Sequence, residues 1–249
     1  MKTGFKISAA VLAAFLVLSL FGCASKGELK QKGKLIMATN AEFEPFEYMD
    51  NNKIVGIDVD IATQIAKDMG VTLEIQNMSF DSVITAVPAG KVDVGVAAIS
   101  KTAERENSMA FTNAYYDASQ VIIVKKSNTA ITSQDTVKNK KIAVQKGTTG
   151  DDLASKLTGD SNMERFSAST DAINELKNGK VDAVVIDSFP ANIFVKQNSD
   201  IKIVGSPLTS ESYCIAIRKG NTKLVEQINN SLKKLKDNGT LDKIIKKYS

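Results

Sequence analysis

Short apolar runs alternate with helix-like stretches along most of the chain. Lys34–Thr39 predicts a strand, and apolar positions at helical spacing across Val59–Met69 predict a following helix capped by Asp58. Val71–Gln76 predicts the next strand, and Val92–Ile99 is a nearly continuous apolar run. Such runs are typical of strands buried on both faces of a parallel sheet. The pattern therefore predicts an α/β fold built from βαβ units.

The same pattern recurs in the second half of the chain. Gly90–Asp93 and Gly179–Asp182 carry the same residues, Gly-Lys-Val-Asp, and each opens an apolar run after a helical stretch. A repeat this long exceeds a solenoid unit and indicates two similar α/β lobes, although a chance match of turn residues is the alternative. Ser119–Lys126 and Ser212–Arg218 have strong β propensity and would join the lobes as hinge strands.

These elements divide the chain into four predicted parts. Residues 1–22 form a signal peptide and residues 23–33 a polar tether. Residues 34–122 together with 216–249 form the first lobe, and residues 123–215 form the second lobe, with hinge strands at both of its edges. Ligands bind beyond the carboxyl ends of the strands in open parallel sheets, so the loops at those ends would line one cleft between the lobes.

The N-terminus is typical of a secretory signal. Lys2 and Lys6 precede an apolar run that ends at Phe21 and is shorter than a membrane-spanning helix requires. The run leads into Leu-Phe-Gly-Cys, which resembles a bacterial lipobox whose cysteine, here Cys23, is lipidated and becomes the mature N-terminus. Phe21 departs from the small or β-branched residue usual there. We expect a lipid anchor on Cys23 at the extracytoplasmic face of the cell membrane; an uncleaved anchor helix is the alternative.

Composition excludes several classes of function. The 249 residues include no histidine, which removes the commonest general base, the commonest metal ligand and every Ser-His or Cys-His nucleophile pair. No metal and no other cofactor is expected. The net charge of +4 is small and the lysines are spread out, so nucleic acid is not an expected partner. Cys214 lies in an apolar stretch and is expected to be a buried small hydrophobe.

Polar residues at the predicted strand ends could bind an α-amino acid. Ser100 and Arg105 could clamp a carboxylate, because a planar guanidinium takes both of its oxygens. The loop Gly147–Gly150 precedes a predicted helical turn and could present N–H groups and hydroxyls to an anion. Asp187 ends an apolar strand, where an ammonium group would be a suitable partner.

Each of these residues also has a simpler interpretation. Arg105 could be a solvated helix residue that pairs with Asp117 or another acid. Asp187 could cap the helix that Ser188 begins, and Gly147–Gly150 could be an ordinary turn. The residue pattern alone leaves these alternatives open.

Ordered sequence blocks run through the chain over about residues 33–249. The main blocks are Thr39–Tyr48, Val55–Asp60, Ser100–Arg105, Val144–Thr149, Asp182–Asp187 and Asp237–Thr240. Together they resemble the family 3 solute-binding proteins, which are the amino-acid receptors of ABC importers. The resemblance implies a two-lobed α/β fold of the type II periplasmic-binding-protein kind, with the ligand cleft between the lobes and a two-strand hinge.

The resemblance also implies roles for individual residues. The Arg105 equivalent clamps the ligand carboxylate, and the Ser100 and Thr149 equivalents assist it together with backbone groups near Ala98. The acid equivalent to Asp187 holds the ammonium. The remaining implied ligand-binding residues are two aromatics that sandwich the side chain and the polar residues near its tip: Phe43, Phe80, Asn40, Gln145 and Thr148.

The resemblance implies a monomeric, non-catalytic receptor that closes its lobes on a polar L-amino acid and delivers it to the membrane permease of an ABC importer. Many members that bind polar ligands have Asp where this chain has Asn40, and glutamine binders tend to have Lys where it has Gln145. Gln145 is common in arginine- and cystine-binding relatives. We therefore expect a basic amino acid such as arginine first, then cystine or glutamine, with Glu42 or Glu211 replacing the acid absent at position 40.

Two other classes of function remain open at the level of sequence. A few dehydratases share this fold, and such an enzyme would need a positioned general acid or base, which without histidine leaves Glu, Asp, Lys or Tyr. A sensory ectodomain would normally carry a transmembrane helix after the lobes, and none follows Arg218 before the chain ends at Ser249.

Overall fold

A computed structural model of the chain describes residues 29–248, so the predicted signal peptide and Cys23 lie outside the described part. The strands are β1 (Lys34–Thr39), β2 (Glu42–Phe43), β3 (Glu47–Asp50), β4 (Lys53–Val55), β5 (Thr72–Asn77), β6 (Val94–Gly95), β7 (Met109–Phe111), β8 (Tyr116–Ala118), β9 (Gln120–Lys125), β10 (Ile142–Gln145), β11 (Met163–Phe166), β12 (Ala183–Asp187), β13 (Ile201–Val204), β14 (Glu211–Tyr213) and β15 (Ala216–Arg218). The helices are α1 (Ile57–Asp68), α2 (Phe80–Ala86), α3 (Ala103–Glu106), α4 (Thr149–Thr158), α5 (Ser169–Asn178), α6 (Ser188–Gln197), α7 (Thr222–Asp237) and α8 (Thr240–Lys247).

Two five-stranded sheets form the centres of two lobes. The strand order is β5-β1-β6-β15-β7 in the first sheet and β11-β10-β12-β9-β13 in the second. Three neighbouring strands are parallel in each sheet, and each sheet is completed by antiparallel strands, β15 with β7 in the first and β9 with β13 in the second. The two lobes therefore repeat one topology, and the predicted two-lobed α/β fold is confirmed.

The repeated Gly-Lys-Val-Asp sequence has the same structural role in both lobes. Asp93 accepts a hydrogen bond from the backbone N–H of Ile36, in β1, at 2.8 Å. Asp182 accepts one from the backbone N–H of Lys141, next to β10, at 2.9 Å. Each carboxylate satisfies a backbone donor of the neighbouring strand. The match is therefore a structural equivalence rather than a coincidence of turn residues.

The sequence pattern predicted a buried strand along the apolar run Val92–Ile99, but the strand that forms there is short, Val94–Gly95. Only β6 pairs within the sheet, because Ala98 has a positive φ of 47° and turns the chain away. Asp58 holds this turn: its carboxylate accepts hydrogen bonds from Ala98 N at 2.7 Å and from Tyr115 Oη at 2.9 Å. Asp58 therefore lies buried inside α1 and does not cap that helix.

The chain crosses between the sheets twice, and the two crossings pair with each other. β8 and β14 form an antiparallel two-stranded ladder. The following strand β9 lies wholly in the second sheet, so the predicted lobe boundary between residues 122 and 123 falls inside a strand. The observed ladder thus begins at Tyr116, a few residues before the predicted hinge segment Ser119–Lys126.

The C-terminal helices pack on the first lobe. α7 begins after Asn221, whose side chain accepts a hydrogen bond from Leu224 N at 3.3 Å, and its apolar face is buried. Cys214 is buried as well. Within residues 29–248 no helix has both the length and the apolar character needed to cross a membrane.

Candidate functional site

A cleft between the two lobes contains every ligand-binding residue expected from the sequence. Its lining residues are Asn40, Phe43, Glu47, Phe80, Ala97, Ala98, Ser100 and Arg105 from the first lobe, and Gln145, Thr148, Thr149 and Asp187 from the second. Glu47 and Ala97 are the two lining residues that the sequence analysis did not name. The cleft lies at the carboxyl ends of the strands in both sheets, which is where ligands bind in folds of this kind.

Arg105 is held at one end of the cleft by contacts to both lobes. Thr102 caps the short helix α3 by accepting a hydrogen bond from Arg105 N, at 3.2 Å. The side chain is 8% exposed, and it donates from Nη1 to Ser100 O at 2.7 Å and from Nη2 to Gly147 O at 2.9 Å. Burial lowers the pKa of this guanidinium. Arg105 is thus a buried cation bonded to carbonyl oxygens, and the alternative of a solvated side chain paired with Asp117 does not hold.

The start of α4 faces Arg105 from the second lobe. Thr148 caps this helix, since its Oγ1 accepts a hydrogen bond from Asp151 N at 3.1 Å. Gly147 has a φ of 78°, a conformation that favours glycine, and this turn carries the carbonyl that Arg105 contacts. The loop Gly147–Gly150 is therefore a helix N-terminus lining the cleft, where backbone N–H groups favour an anion.

The hydroxyls of Ser100 and Thr149 both donate to Glu211, which is not itself a lining residue. The distances to Glu211 Oε2 are 2.5 Å from Ser100 Oγ and 2.7 Å from Thr149 Oγ1. Ser100 belongs to the first lobe and Thr149 to the second, so the Glu211 carboxylate connects the lobes beside the cleft. From the sequence, Glu211 was expected only as a replacement for the acid absent at position 40.

Asp187 places a buried carboxylate in the same cleft. One of its oxygens accepts a hydrogen bond from Tyr213 Oη at 2.6 Å. The residue occupies the position before α6, but its side chain does not bond the first turn of that helix, so the alternative of a helix cap does not hold. Burial raises the pKa of Asp187 to about 6, while the bond from Tyr213 acts in the opposite direction. A carboxylate in this position is suited to an ammonium partner.

Glu47 is a second buried acid in the lining. It is 1% exposed, and its carboxyl group faces that of Asp58, with which it shares a hydrogen bond when one of the two is protonated. Burial raises the pKa of Glu47 well above its ordinary value, and the nearby carboxylates of Asp58 and Asp187 raise it further. A glutamate within the apolar stretch Pro45-Phe46-Glu47-Tyr48 was the sequence signal available for it.

The position of Glu47 depends on one close backbone approach. Gly56, at a φ of 134°, precedes α1, and a Cβ atom there would lie 2.1 Å from Phe46 O. Because glycine leaves that space open, Phe46 O accepts a hydrogen bond from Asp58 N at 2.9 Å. The turn before β3 is thereby fixed against the helix, and Glu47 is directed into the interior.

The other end of the cleft is formed by neutral amides. Gln145 Nε2 donates to Asn40 Oδ1 at 2.7 Å, across the two lobes, and also to Ser167 O at 3.0 Å. Asn40 Nδ2 donates to Met78 O at 2.9 Å. Glu42 is exposed and lines a separate groove. The acids that line the cleft are therefore Glu47 and Asp187, and neither Glu42 nor Glu211 replaces an acid at position 40.

Two aromatic rings, those of Phe43 and Phe80, line the cleft. The Arg105 guanidinium carbon lies 5.6 Å from the centre of the Phe80 ring, which is within the range of a cation–π contact. The ring of Phe46 packs against three other rings, with centroid distances of 5.0 to 5.7 Å. Two of them, Tyr116 and Tyr213, lie on the crossing strands β8 and β14, and the third, Phe189, lies on α6 of the second lobe. Phe43 is also buried in the lining.

The arrangement is complementary to a zwitterion with a polar side chain. The lining holds the cation of Arg105, the carboxyl groups of Glu47 and Asp187 and the amides of Asn40 and Gln145. In the part of the chain that the structure describes, no group of three or more His, Cys, Asp or Glu residues is placed to hold a metal ion. The charged and polar groups of the lining offer recognition by charge and hydrogen bonds.

Comparison with known proteins gives one consistent family. Residues 35–249 match the bacterial extracellular solute-binding proteins, family 3. The chain is similar to the arginine-binding extracellular protein ArtP of Bacillus subtilis (strain 168), at 33% identity over 96% of this chain and 95% of that protein. It is also similar to a probable histidine-binding protein of Neisseria gonorrhoeae, at 36% identity over 97% of this chain and 94% of that protein.

A solved structure agrees in fold as well as in sequence. A crystal structure of a mutant of ArgBP from T. maritima superposes with a TM-score of 0.83 at 44% identity, covering 87% of this chain and 95% of that chain. The two sequence relatives are named as amino-acid-binding proteins.

Proposed function

The chain belongs to the bacterial extracellular solute-binding proteins, family 3, and on that premise we propose that it captures a polar L-amino acid for an ABC importer. One observation supports this most strongly: the buried Arg105 guanidinium and the buried Asp187 carboxylate line the same cleft. A carboxylate and an ammonium are the two groups that all α-amino acids share. A buried guanidinium would bind the first and a buried acid the second.

For the side chain, we propose arginine or another basic amino acid first, with cystine and glutamine next. The relatives reported above are named for arginine and histidine. The amides of Asn40 and Gln145 can donate and accept, which suits a polar tip. Glu47 and Asp187 add two carboxyl groups whose oxygens can accept hydrogen bonds from a basic side chain.

Binding would proceed by closure of the lobes. Contacts between the lobes include the Arg105 bond to Gly147 O and the ion pair of Lys146 with Asp81, at 2.9 Å. A ligand that contacts both lobes binds the closed arrangement better and shifts the population towards it. The radius of gyration from small-angle scattering should therefore decrease when the amino acid is added, and identical curves with and without ligand would contradict closure.

Delivery would take place at the membrane surface. In this proposal a lipid on Cys23 anchors the monomeric protein to the extracytoplasmic face, and the closed form passes its ligand to the permease of the importer. Cys23→Ser should release the protein from the membrane fraction or leave it unprocessed. Unchanged membrane attachment and processing of that variant would contradict the anchor.

A thermal-shift screen tests the ligand directly. The twenty amino acids, cystine and ornithine should be compared at equal concentration, since a ligand that binds only the folded state raises Tm. We expect the largest shift with arginine or another basic amino acid. A strong response to leucine with none to polar amino acids would contradict the proposed ligand class, and no response to any amino acid would contradict the function.

A further inference from the structure

Glu211 connects hydroxyl groups of both lobes beside the cleft. It lies on β14, one of the two strands that cross between the lobes. Its Oε2 accepts hydrogen bonds from Ser100 Oγ, at 2.5 Å, and from Thr149 Oγ1, at 2.7 Å. Its Oε1 accepts one from Thr209 Oγ1, also at 2.7 Å. One carboxylate is therefore shared by three hydroxyls, two of which belong to cleft-lining residues.

These contacts fix the direction of two hydroxyl protons. A hydroxyl has one proton to donate and two lone pairs that accept, whereas a carboxylate only accepts. Because Ser100 and Thr149 donate their protons to Glu211, each oxygen has only lone pairs left to offer a ligand. Thr149 Oγ1 also accepts a hydrogen bond from Gln120 Nε2 at 3.1 Å, which supports this orientation.

We propose that Glu211 is a positioning residue for amino-acid binding, which directs the hydroxyls of Ser100 and Thr149 to accept hydrogen bonds from the ligand ammonium. This inference rests on the proposed function. It reverses the role that the family resemblance implied for the two hydroxyls, which was to assist in binding the carboxylate. The carboxylate is then bound by Arg105 and the backbone N–H groups at the start of α4.

Glu211→Gln tests this orientation, because an amide keeps the size of the side chain but replaces one acceptor oxygen with an NH2 donor. That donor needs an acceptor, so at least one of the three hydroxyls must release its bond to position 211. The probes are L-arginine and 5-guanidinopentanoate, the same molecule without its α-amino group, with L-glutamine and glutaramate as a second pair. Calorimetry or competition binding should give the affinity of each.

The ratio of the two affinities within a pair separates positioning from a general defect. We expect Glu211→Gln to weaken binding of the amino acid by about tenfold or more, on the scale of one or two hydrogen bonds to a charged group. The compound that lacks the amino group should lose much less. The advantage that the α-amino group gives in the wild-type protein should therefore shrink by about tenfold.

Glu226→Gln is the matched control, because Glu226 is exposed on α7 and the substitution makes the same chemical change there. It should leave both affinities unchanged. Equal losses for the amino acid and its deaminated analogue in Glu211→Gln would overturn the proposal, and so would unchanged affinities. Failure of the wild-type protein to bind any amino acid would instead contradict the proposed function.

Discussion

The two ends of the cleft are built from different chemistry. One end holds the buried guanidinium of Arg105, which bonds two backbone carbonyls, and the buried carboxylate of Asp187, which bonds the Tyr213 hydroxyl. The other end holds the amides of Asn40 and Gln145, which bond to each other across the lobes at 2.7 Å. The first end is charged and suits the groups that every amino acid carries. The second is neutral and suits the part that varies.

This difference separates affinity from selectivity. Hydrogen bonds to charged groups contribute about 1.5–3 kcal/mol each, compared with about 0.5–1.5 kcal/mol for neutral ones. Loss of a charged partner also leaves the opposite charge buried and unpaired, which adds to the cost. Changes at the charged end should therefore weaken all amino acids together, and changes at the amide end should reorder them at a smaller cost.

The largest effect is expected from Arg105→Ala. Removal of one partner of a buried charge pair costs about 2–5 kcal/mol, which corresponds to a loss in affinity of about 30- to 5,000-fold. The loss should be similar for arginine, glutamine and cystine, because all of them present an α-carboxylate. Arg105→Lys should recover only part of the affinity, since an ammonium cannot replace the two-pronged guanidinium. Calorimetry with each ligand measures both variants.

Lys101→Ala provides the control for this experiment. Lys101 is an exposed cation in the same segment, paired with Glu106 at 2.8 Å on the surface, and its removal should leave the affinities unchanged. Circular dichroism must show that Arg105→Ala remains folded. Near-normal affinity in a folded Arg105→Ala variant would contradict the assignment of the charged end.

A change of pH also distinguishes the two ends, because it changes the ionisation of carboxyl groups and not that of amides. In the ligand-free protein burial raises the pKa of Asp58 and Asp187 from 3.8 to about 6, and it raises the pKa of Glu47 as well. Between the ordinary and the raised values the folded protein binds more protons than the unfolded chain. The stabilisation from these protons is complete below about pH 4 and is lost as the pH rises through about 6.

Glu47→Gln isolates one of these groups. An amide resembles the protonated carboxyl and cannot ionise, so the variant should match the wild-type Tm at low pH and exceed it increasingly as the pH rises. The difference in the free energy of unfolding should grow by about 1.4 kcal/mol for each pH unit between the ordinary pKa of Glu47 and its raised value. Thermal melts from pH 4 to pH 8 measure it, with the exposed Glu44→Gln as the control. Parallel curves for Glu47→Gln and the wild-type protein would rule out the raised pKa.

The sequence predicts the charged end better than the contacts that orient it. Asp187 ends β12, and Arg105 comes shortly after the apolar run that contains β6, so periodicity reveals where both residues lie. The role of Glu47 depends on a close approach between Gly56 and the Phe46 carbonyl, which no local pattern encodes. Glu211 is similar, because two of its hydroxyl partners, Ser100 and Thr149, come from distant segments of the chain.

Strand lengths also depend on contacts that a local sequence pattern does not predict. The apolar run Val92–Ile99 is buried as expected, but the left-handed Ala98 ends its pairing after Gly95. The carboxylate that stabilises this turn belongs to Asp58, forty residues earlier. Periodicity reports which residues are buried, whereas the point at which a strand leaves its sheet depends on tertiary contacts.

The smallest effect is expected from Gln145→Ala, and it decides whether the amide end selects the ligand. The substitution removes the donor to Asn40 Oδ1 and to Ser167 O and leaves space near the tip of the side chain. A neutral hydrogen bond is worth about 1 kcal/mol, so each affinity should change by only about fivefold. Because arginine, glutamine and cystine present different groups there, their order should change. Asn40→Ala should shift the order in the same direction, since each amide orients the other.

If Gln145→Ala instead weakened every ligand by the same factor, the Asn40–Gln145 hydrogen bond would mainly stabilise the closed arrangement of the lobes. Selectivity would then have to come from the acids and aromatics of the lining, and the division between the two ends would fail.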